Sequence, residues 1–336
     1  MLLSFLKKSF LFIIVSQISL AGVNSSCWIK TAFLQNKHID FLMSYKHVYA
    51  VGGNDKNQGE AWRFIDGKWQ IIYQAINDSI ITDTTVFGNI IYAGGDSTKH
   101  GGWIVEYLPD TESRVNLHIK FANSITSLDS NQTSLFIGGT GLNTKGSVWK
   151  YVPSTQKWTN ISPSGFEVIN TLIAHQNYLY ASGISSKTHK AEIIELKNGK
   201  WQDLHLPKGV VSVSNIVSDN ENNIYASGID EDYHAHVWRL KSGVDRLLHH
   251  WNNTGLTAQA INNMQINDSG IIYAAGVDIQ FHGQVWVFDG KTWQVTNFPL
   301  ADNVVSLTIN NQNQLFAAAT DKHNNSEVWM CNLGYK

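Results

Sequence analysis

Beyond residue 27 the chain reads as short apolar runs of four to six residues, broken by clusters of Gly, Asn, Asp and Ser. Runs of that length, rich in Val, Ile, Tyr, Phe and Trp and bounded by turn residues, predict β-strands rather than helices. They also repeat. Val48-Tyr49-Ala50-Val51-Gly52 returns as Ile91-Tyr92-Ala93-Gly94-Gly95, Leu135-Phe136-Ile137-Gly138-Gly139, Leu179-Tyr180-Ala181-Ser182-Gly183, Ile224-Tyr225-Ala226-Ser227-Gly228, Ile272-Tyr273-Ala274-Ala275-Gly276 and Leu315-Phe316-Ala317-Ala318-Ala319. The aromatic of each copy is followed by the next after 43, 44, 44, 45, 48 and 43 residues. Thirteen residues after it stand Trp62, Trp149, Trp238, Trp286 and Trp329, with Val105 and Ile193 in the other two copies, and a further Trp follows as Trp69, Trp158, Trp201, Trp251 and Trp293.

Each copy holds four strands, lettered a to d. In the third copy they are expected at Ser124 to Leu128, Leu135 to Gly138, Ser147 to Tyr151 and Lys157 to Ile161. Asp66-Gly67, Asn198-Gly199 and Asp289-Gly290 fall between strands c and d, where such dipeptides suit type I′ hairpins because both residues tolerate positive φ. A four-stranded unit of about 44 residues cannot bury both faces alone, so it stacks on its neighbours around an axis. The fold class is therefore all-β, a seven-bladed β-propeller, with the tryptophans packed between blades. A β-sandwich gives no reason for seven copies at near-equal spacing.

The seventh copy stops after strand c, and Cys27-Trp28-Ile29-Lys30 supplies a strand d at the other end of the chain. The amino-terminal strand then closes the last blade and brings together the protein's two cysteines, Cys27 and Cys331. Neighbouring strands lie within disulfide reach, so a bond between these two is expected.

Charged residues make up 15% of the chain, against about 25% in an average protein. With 43% hydrophobic residues and 12 Trp, disorder is excluded. The net charge of -2 and the lack of any Lys/Arg-rich face exclude the electrostatic footprint of a nucleic-acid binder. Residues 1–21 read as a secretory signal: Lys7 and Lys8, an apolar run Phe10 to Val15, then Ser19 and Ala21 at the cleavage positions. The run is too short to span a bilayer. The expectation is a signal peptide at 1–21, a single propeller domain at 22–336, a secreted or periplasmic monomer, and no stable membrane insertion.

The repeats resemble the kelch-type propellers, a class that includes the central domain of galactose-oxidase-like proteins. Blade 3 carries the likeness best, with Gly138-Gly139, Trp149, Tyr151 and Trp158; Gly52-Gly53 and Gly94-Gly95 keep the double glycine. WD-repeat signatures are absent. The resemblance implies a binding platform more often than an enzyme. Galactose-oxidase chemistry needs a copper site with a Tyr joined to a Cys, and no Cys stands outside the termini.

Ligands of propellers usually meet the face formed by the b-to-c loops and the connectors between blades. Histidines recur there, at His100, His189, His234, His282 and His323, and Asp96, Asp230 and Asp278 precede three of them by four residues. Such a set could be a ring of metal ligands, but Asp at a loop start more simply caps an Asx turn. No metal and no cofactor is expected. Departures from the repeat are more informative. Blade 5 carries Asp230-Glu231-Asp232-Tyr233-His234-Ala235-His236, and blade 6 adds Ile279, Gln280 and Phe281 beside His282. Asp230, Asp232, Tyr233, His234, His236, Phe281 and His282 are thus the candidate ligand-binding residues, with no catalytic set marked. Along the axis the inner strands should present Asp83, Ser127, Thr171, Asn215, Asn263 and Ser306. The reading is a secreted, non-catalytic scaffold that recognises a protein or glycan; the alternative is a carbohydrate-active or lyase-type propeller enzyme with its site on the same face.

Overall fold

The computed structural model describes residues 27–33, 37–54, 58–74, 79–97, 101–117, 119–243 and 248–333. The signal segment 1–21 and His100 lie outside these residues. The described chain forms seven four-stranded antiparallel sheets arranged as the blades of a ring. Blades 1 to 6 span residues 37–74, 79–116, 122–160, 166–203, 210–258 and 260–295. Blade 3 has strands Ala122–Ser130, Leu135–Gly141, Gly146–Val152 and Lys157–Asn160, the expected four with the first three extended. Asp66-Gly67 and Asn198-Gly199 have positive φ at both residues, as type I′ turns require. Asp289-Gly290 does not. Only Gly290 is left-handed, and the Asp289 carboxylate instead accepts the Lys291 and Thr292 amides across a longer loop.

One irregularity favours the glycine that six of the seven copies keep, Ala319 standing there in blade 7. Strand a of every blade carries a β-bulge at the same place, between Ile81 and Asp83 in blade 2 and between Val213 and Asn215 in blade 5. The bulge pushes a strand-a carbonyl toward strand b, so a Cβ on Gly95 would collide with the Ile80 oxygen and one on Gly228 with the Ser212 oxygen. The bulged residues turn inward, and with those that follow them they line the axial channel, about 1270 Å³ of space open to solvent. All six residues expected there are present, and Phe41 takes the equivalent place in blade 1.

These polar side chains do more than face water. Four of them accept a hydrogen bond from the next blade: Leu128 N donates to Asp83 Oδ2 (2.7 Å), Leu172 N to Ser127 Oγ (3.0 Å), Leu307 N to Asn263 Oδ1 (3.2 Å) and Leu42 N to Ser306 Oγ (2.9 Å). Asp129 adds a second such link to Ala174 N (2.7 Å). Burial pushes the Asp83 carboxyl up to about 7 and the Asp129 carboxyl up to about 6, against the pull of these bonds; the two charges also oppose each other at Asp83.

Between blades, the strand-c Trp, in the five blades that have one, packs on the preceding blade, as Trp149 does on blade 2, Trp238 on blade 4 and Trp62 on blade 7. In blade 4 the equivalent residue is Ile194, paired with Ala181, rather than Ile193. The b-to-c loop there is one residue longer, which shifts the phase of the repeat. The strand-d Trp ties blades together through its ring N–H: Trp201 Nε1 donates to Ile161 O (2.7 Å) and Trp251 Nε1 to Leu204 O (2.9 Å). Blade 2 has neither indole. Val105 and Arg114 stand in their places, Arg114 donating to Ile72 O and lying over the Tyr73 ring. A small apolar cavity remains beside Val105 and Arg114 at the junction with blade 1.

The ring closes as the spacing implies. Strand Trp28–Lys30 pairs with Ser326–Asn332, placing Trp28 opposite Cys331 and Lys30 opposite Trp329. Trp28 and Trp329 share a face and both meet Phe298, at ring distances of 4.8 and 6.2 Å. Cys27 and Cys331 form a disulfide with their Cα atoms 4.9 Å apart. Such a bond belongs to an oxidising, non-cytosolic environment.

Candidate functional site

Strand a runs from the face of the interblade connectors to the opposite face and strand b returns, so b-to-c loops and connectors share one face. A bond from Gly283 N to Ala301 O (2.8 Å) joins a loop and a connector there. The blade 5 loop is built around Asp230. Its Oδ1 accepts the amides of Asp232 and His234, both at 3.0 Å, and its Oδ2 meets His236 Nε2 at 2.9 Å. Burial raises this carboxyl, but the hydrogen bonds from His234, His236 and Asp232 outweigh it and hold it below the usual carboxylate range. The loop of blade 6 repeats the design, with Gln280 N and His282 N on Asp278 Oδ1 at 2.8 and 2.9 Å. Blade 7 repeats it again at Asp321 with His323 N and Asn325 N. In blades 5 and 6 the Asp-to-His spacing is therefore a turn capped through the histidine's backbone amide. Among the described residues no three His, Cys, Asp or Glu side chains converge on a point where a metal ion could sit.

The same capping leaves the fourth turn residue left-handed: Tyr233 (φ 62°), Phe281 (φ 65°) and Asn324 (φ 61°). Asn tolerates that conformation, but bulky aromatics are out of place there, and such strain concentrates at functional sites. Tyr233 and Phe281 are also 77% and 67% exposed. Ile279, Val211 and Leu300 are exposed on the same face, in blade 6, at the start of blade 5 and in the connector to blade 7. The structure thus assembles an apolar sector over blades 5 and 6, flanked by the exposed acids Glu231 and Asp232.

The candidate residues divide accordingly. Asp232, Tyr233, His234, Phe281 and His282 are exposed on the face. Asp230 and His236 hold it in shape, His236 Nδ1 facing Leu256 O at 3.1 Å while Nε2 meets Asp230. Val211 and Leu300 are additions from the structure, because exposure of a lone apolar residue carries no sequence signal. No helix among the described residues is long and apolar enough to cross a membrane.

No protein-family profile and no curated protein sequence matches the chain. Solved structures do match in fold. The WD40 β-propeller domain of Doa1 superposes with a TM-score of 0.63 at 12% identity, over 90% of this chain and 95% of that one. U3-55K gives 0.64 at 10% identity, over 92% and 99%. YCF48 bound to D1 peptide gives 0.64 at 12%, over 90% and 96%. At these identities the likeness establishes the seven-bladed propeller.

Proposed function

We propose that the chain is an exported, non-catalytic interaction scaffold of kelch-like type, whose blade 5 and 6 loops hold a protein partner. The observation that carries this is the pair Tyr233 and Phe281, at equivalent places in adjacent blades, strained in backbone and open to solvent. Exposed aromatics within a polar surround are typical anchors of protein interfaces. The acids beside them favour a partner segment with apolar residues next to basic ones. YCF48, a similar propeller, was solved with a peptide bound, which supports the protein reading over the glycan one. Export rests on the amino-terminal signal pattern, and the disulfide agrees with it.

A non-catalytic role also fits the carboxyls that burial pushes up furthest, Asp83 and Asp129. Both oxygens of each accept backbone amides, those of Leu128 and Thr84 for Asp83 and of Ala174 and Ser130 for Asp129. They serve the channel wall and leave little for acid–base chemistry.

Tyr233→Asn and Phe281→Asn separate binding from folding, since Asn suits the left-handed turn. Each variant should keep or slightly raise the melting temperature and weaken binding of peptides selected on the wild-type chain by about tenfold or more. Peptide display followed by titration measures this, with a glycan array in parallel. Unchanged peptide affinity in both variants, selection of glycans alone, or turnover of an arrayed glycan overturns the proposal.

A further inference from the structure

A second site, independent of the loop face, lies on the rim between blades 4 and 5. The step from Tyr225 to Tyr273 is 48 residues, the longest of the repeat, and the extra length falls in the c-to-d connection of blade 5. Its described residues Lys241, His249 and His250 join Arg239 of strand c and His205 of the preceding connector around an open cavity of about 990 Å³. Trp251, Asn252, Leu206 and Pro207 complete the lining, and no carboxylate is among the described lining residues. Asp203 beside it is engaged, accepting from His205 Nδ1 at 2.7 Å, and thereby turns the other ring nitrogen away from itself.

Three features mark this as a built site. The rings of His205 and His249 meet with centroids 4.6 Å apart. Both residues are left-handed, at φ 49° and 54°, and at His205 the repeats show that the turn asks for this conformation but not for a histidine. After strand d of blades 5 and 6, the positions equivalent to His205 are the left-handed Gly255 and Asn297. A histidine there carries backbone strain that glycine avoids. Finally, His249 Nδ1 and Arg239 Nε are buried without hydrogen-bond partners, although a buried donor left unpaired is costly. Among the described residues, no carboxylate lies within ion-pair distance of Arg239 or Lys241.

We propose that this groove binds a small oxyanion, a carboxylate or phosphate carried on a sugar-sized molecule whose ring lies against Trp251 and Pro207. Guanidinium and ammonium groups select an anion and repel the metal ion that clustered imidazoles would otherwise invite. The imidazoles and Asn252 add further polar contacts, and the apolar side of the cavity accepts a ring.

Calorimetric titration of the intact chain at low salt with glucose 6-phosphate, glucuronate and glucose tests the proposal. Saturable binding of one or both anions, without binding of glucose, is the expected result, and which anion binds tells phosphate from carboxylate. Lys241→Gln, His205→Gly and His249→Asn should each weaken it by about tenfold. The two histidine variants place residues suited to the left-handed backbone, so they should hold or raise the melting temperature as binding falls. Tyr233→Asn should leave this binding untouched, which separates the site from the loop face. Absence of saturable anion binding, equal binding of glucose, or full affinity in all three groove variants overturns it.

Discussion

Reducing the Cys27–Cys331 bond, or replacing both cysteines with serine, is expected to lower the melting temperature by about 5–10 °C, corresponding to about 2–5 kcal/mol. The effect is large because of where the bond sits. A propeller built from one chain has a single seam at which no covalent connection joins neighbouring strands. Here that seam runs between strands c and d of blade 7. The amino-terminal strand is three residues long, too short to hold itself in place by pairing alone. Yet it delivers Trp28, 6% exposed, into the blade 6 to 7 core, and leads into Thr31, which donates to Val328 O (2.8 Å) and accepts from Trp69 Nε1 (3.0 Å). Phe33 then meets the rings of both Trp62 and Trp69. Without the disulfide this segment can peel away and uncover two blade interfaces at once. Amide exchange should therefore rise first at residues 28–33 and in the facing strand 326–332. A chain that melts at the same temperature with and without reductant would show that Trp28 packing and the Thr31 bonds close the ring unaided.

That closure is legible in the sequence because it rests on periodicity. Each blade repeats the same packing problem, so the Tyr, the strand-c Trp and the bulge-facing Gly recur in phase, and a missing strand at one end points to the strand at the other. The channel residues are readable for the same reason. What escapes is aperiodic. Counting from Tyr180 lands on Ile193, one residue early, since the count does not register a loop one residue longer. Arg114 does not declare itself as the substitute for a strand-d Trp, because a guanidinium shares only the N–H and the flat face of an indole. Asp129 carries no mark in the sequence, for burial of a carboxyl depends on two blades meeting over it. The rim groove draws on segments 205–207, 239–241 and 249–252, which no spacing rule brings together.

The loop face is half legible. Its Asp-to-His spacing reads as turn capping, and the bonds to Asp230 and Asp278 take that form. The left-handed backbone of Tyr233 and Phe281 follows from the same capping: once the Asp oxygen holds the amides at the second and fourth positions after it, the residue between them must turn left. The sequence names aromatics at those places but is silent on the strain, which emerges only when the turn is formed.

The channel wall yields the other large effect, a loss of stability with rising pH. A carboxyl that titrates near 7 or 6 in the folded chain and near 3.8 when unfolded binds its proton more tightly when folded. The linked stability is full below the unfolded value and disappears as pH rises through the folded one. Between pH 5 and pH 8, Asp83 and Asp129 together should therefore remove about 3 kcal/mol, since a tenfold change in proton affinity is worth about 1.4 kcal/mol and solvent in the channel weakens the effect. Asp230, Asp289 and Asp321 are shifted down and act only in more acid solution. His175, pushed down by burial, has the opposite slope within this window, so the comparison that isolates the pair is wild type against Asp83→Asn with Asp129→Asn. Blade 6 shows that the amide can serve in this place, for Asn263 accepts Leu307 N where Asp83 accepts Leu128 N. The double variant should lose most of the decline between pH 5 and pH 8 in urea midpoints, and should match or exceed the wild type at pH 8. An equal slope in both proteins would mean that the two carboxyls stay ionised across this range, held so by the amides of Leu128 and Ala174.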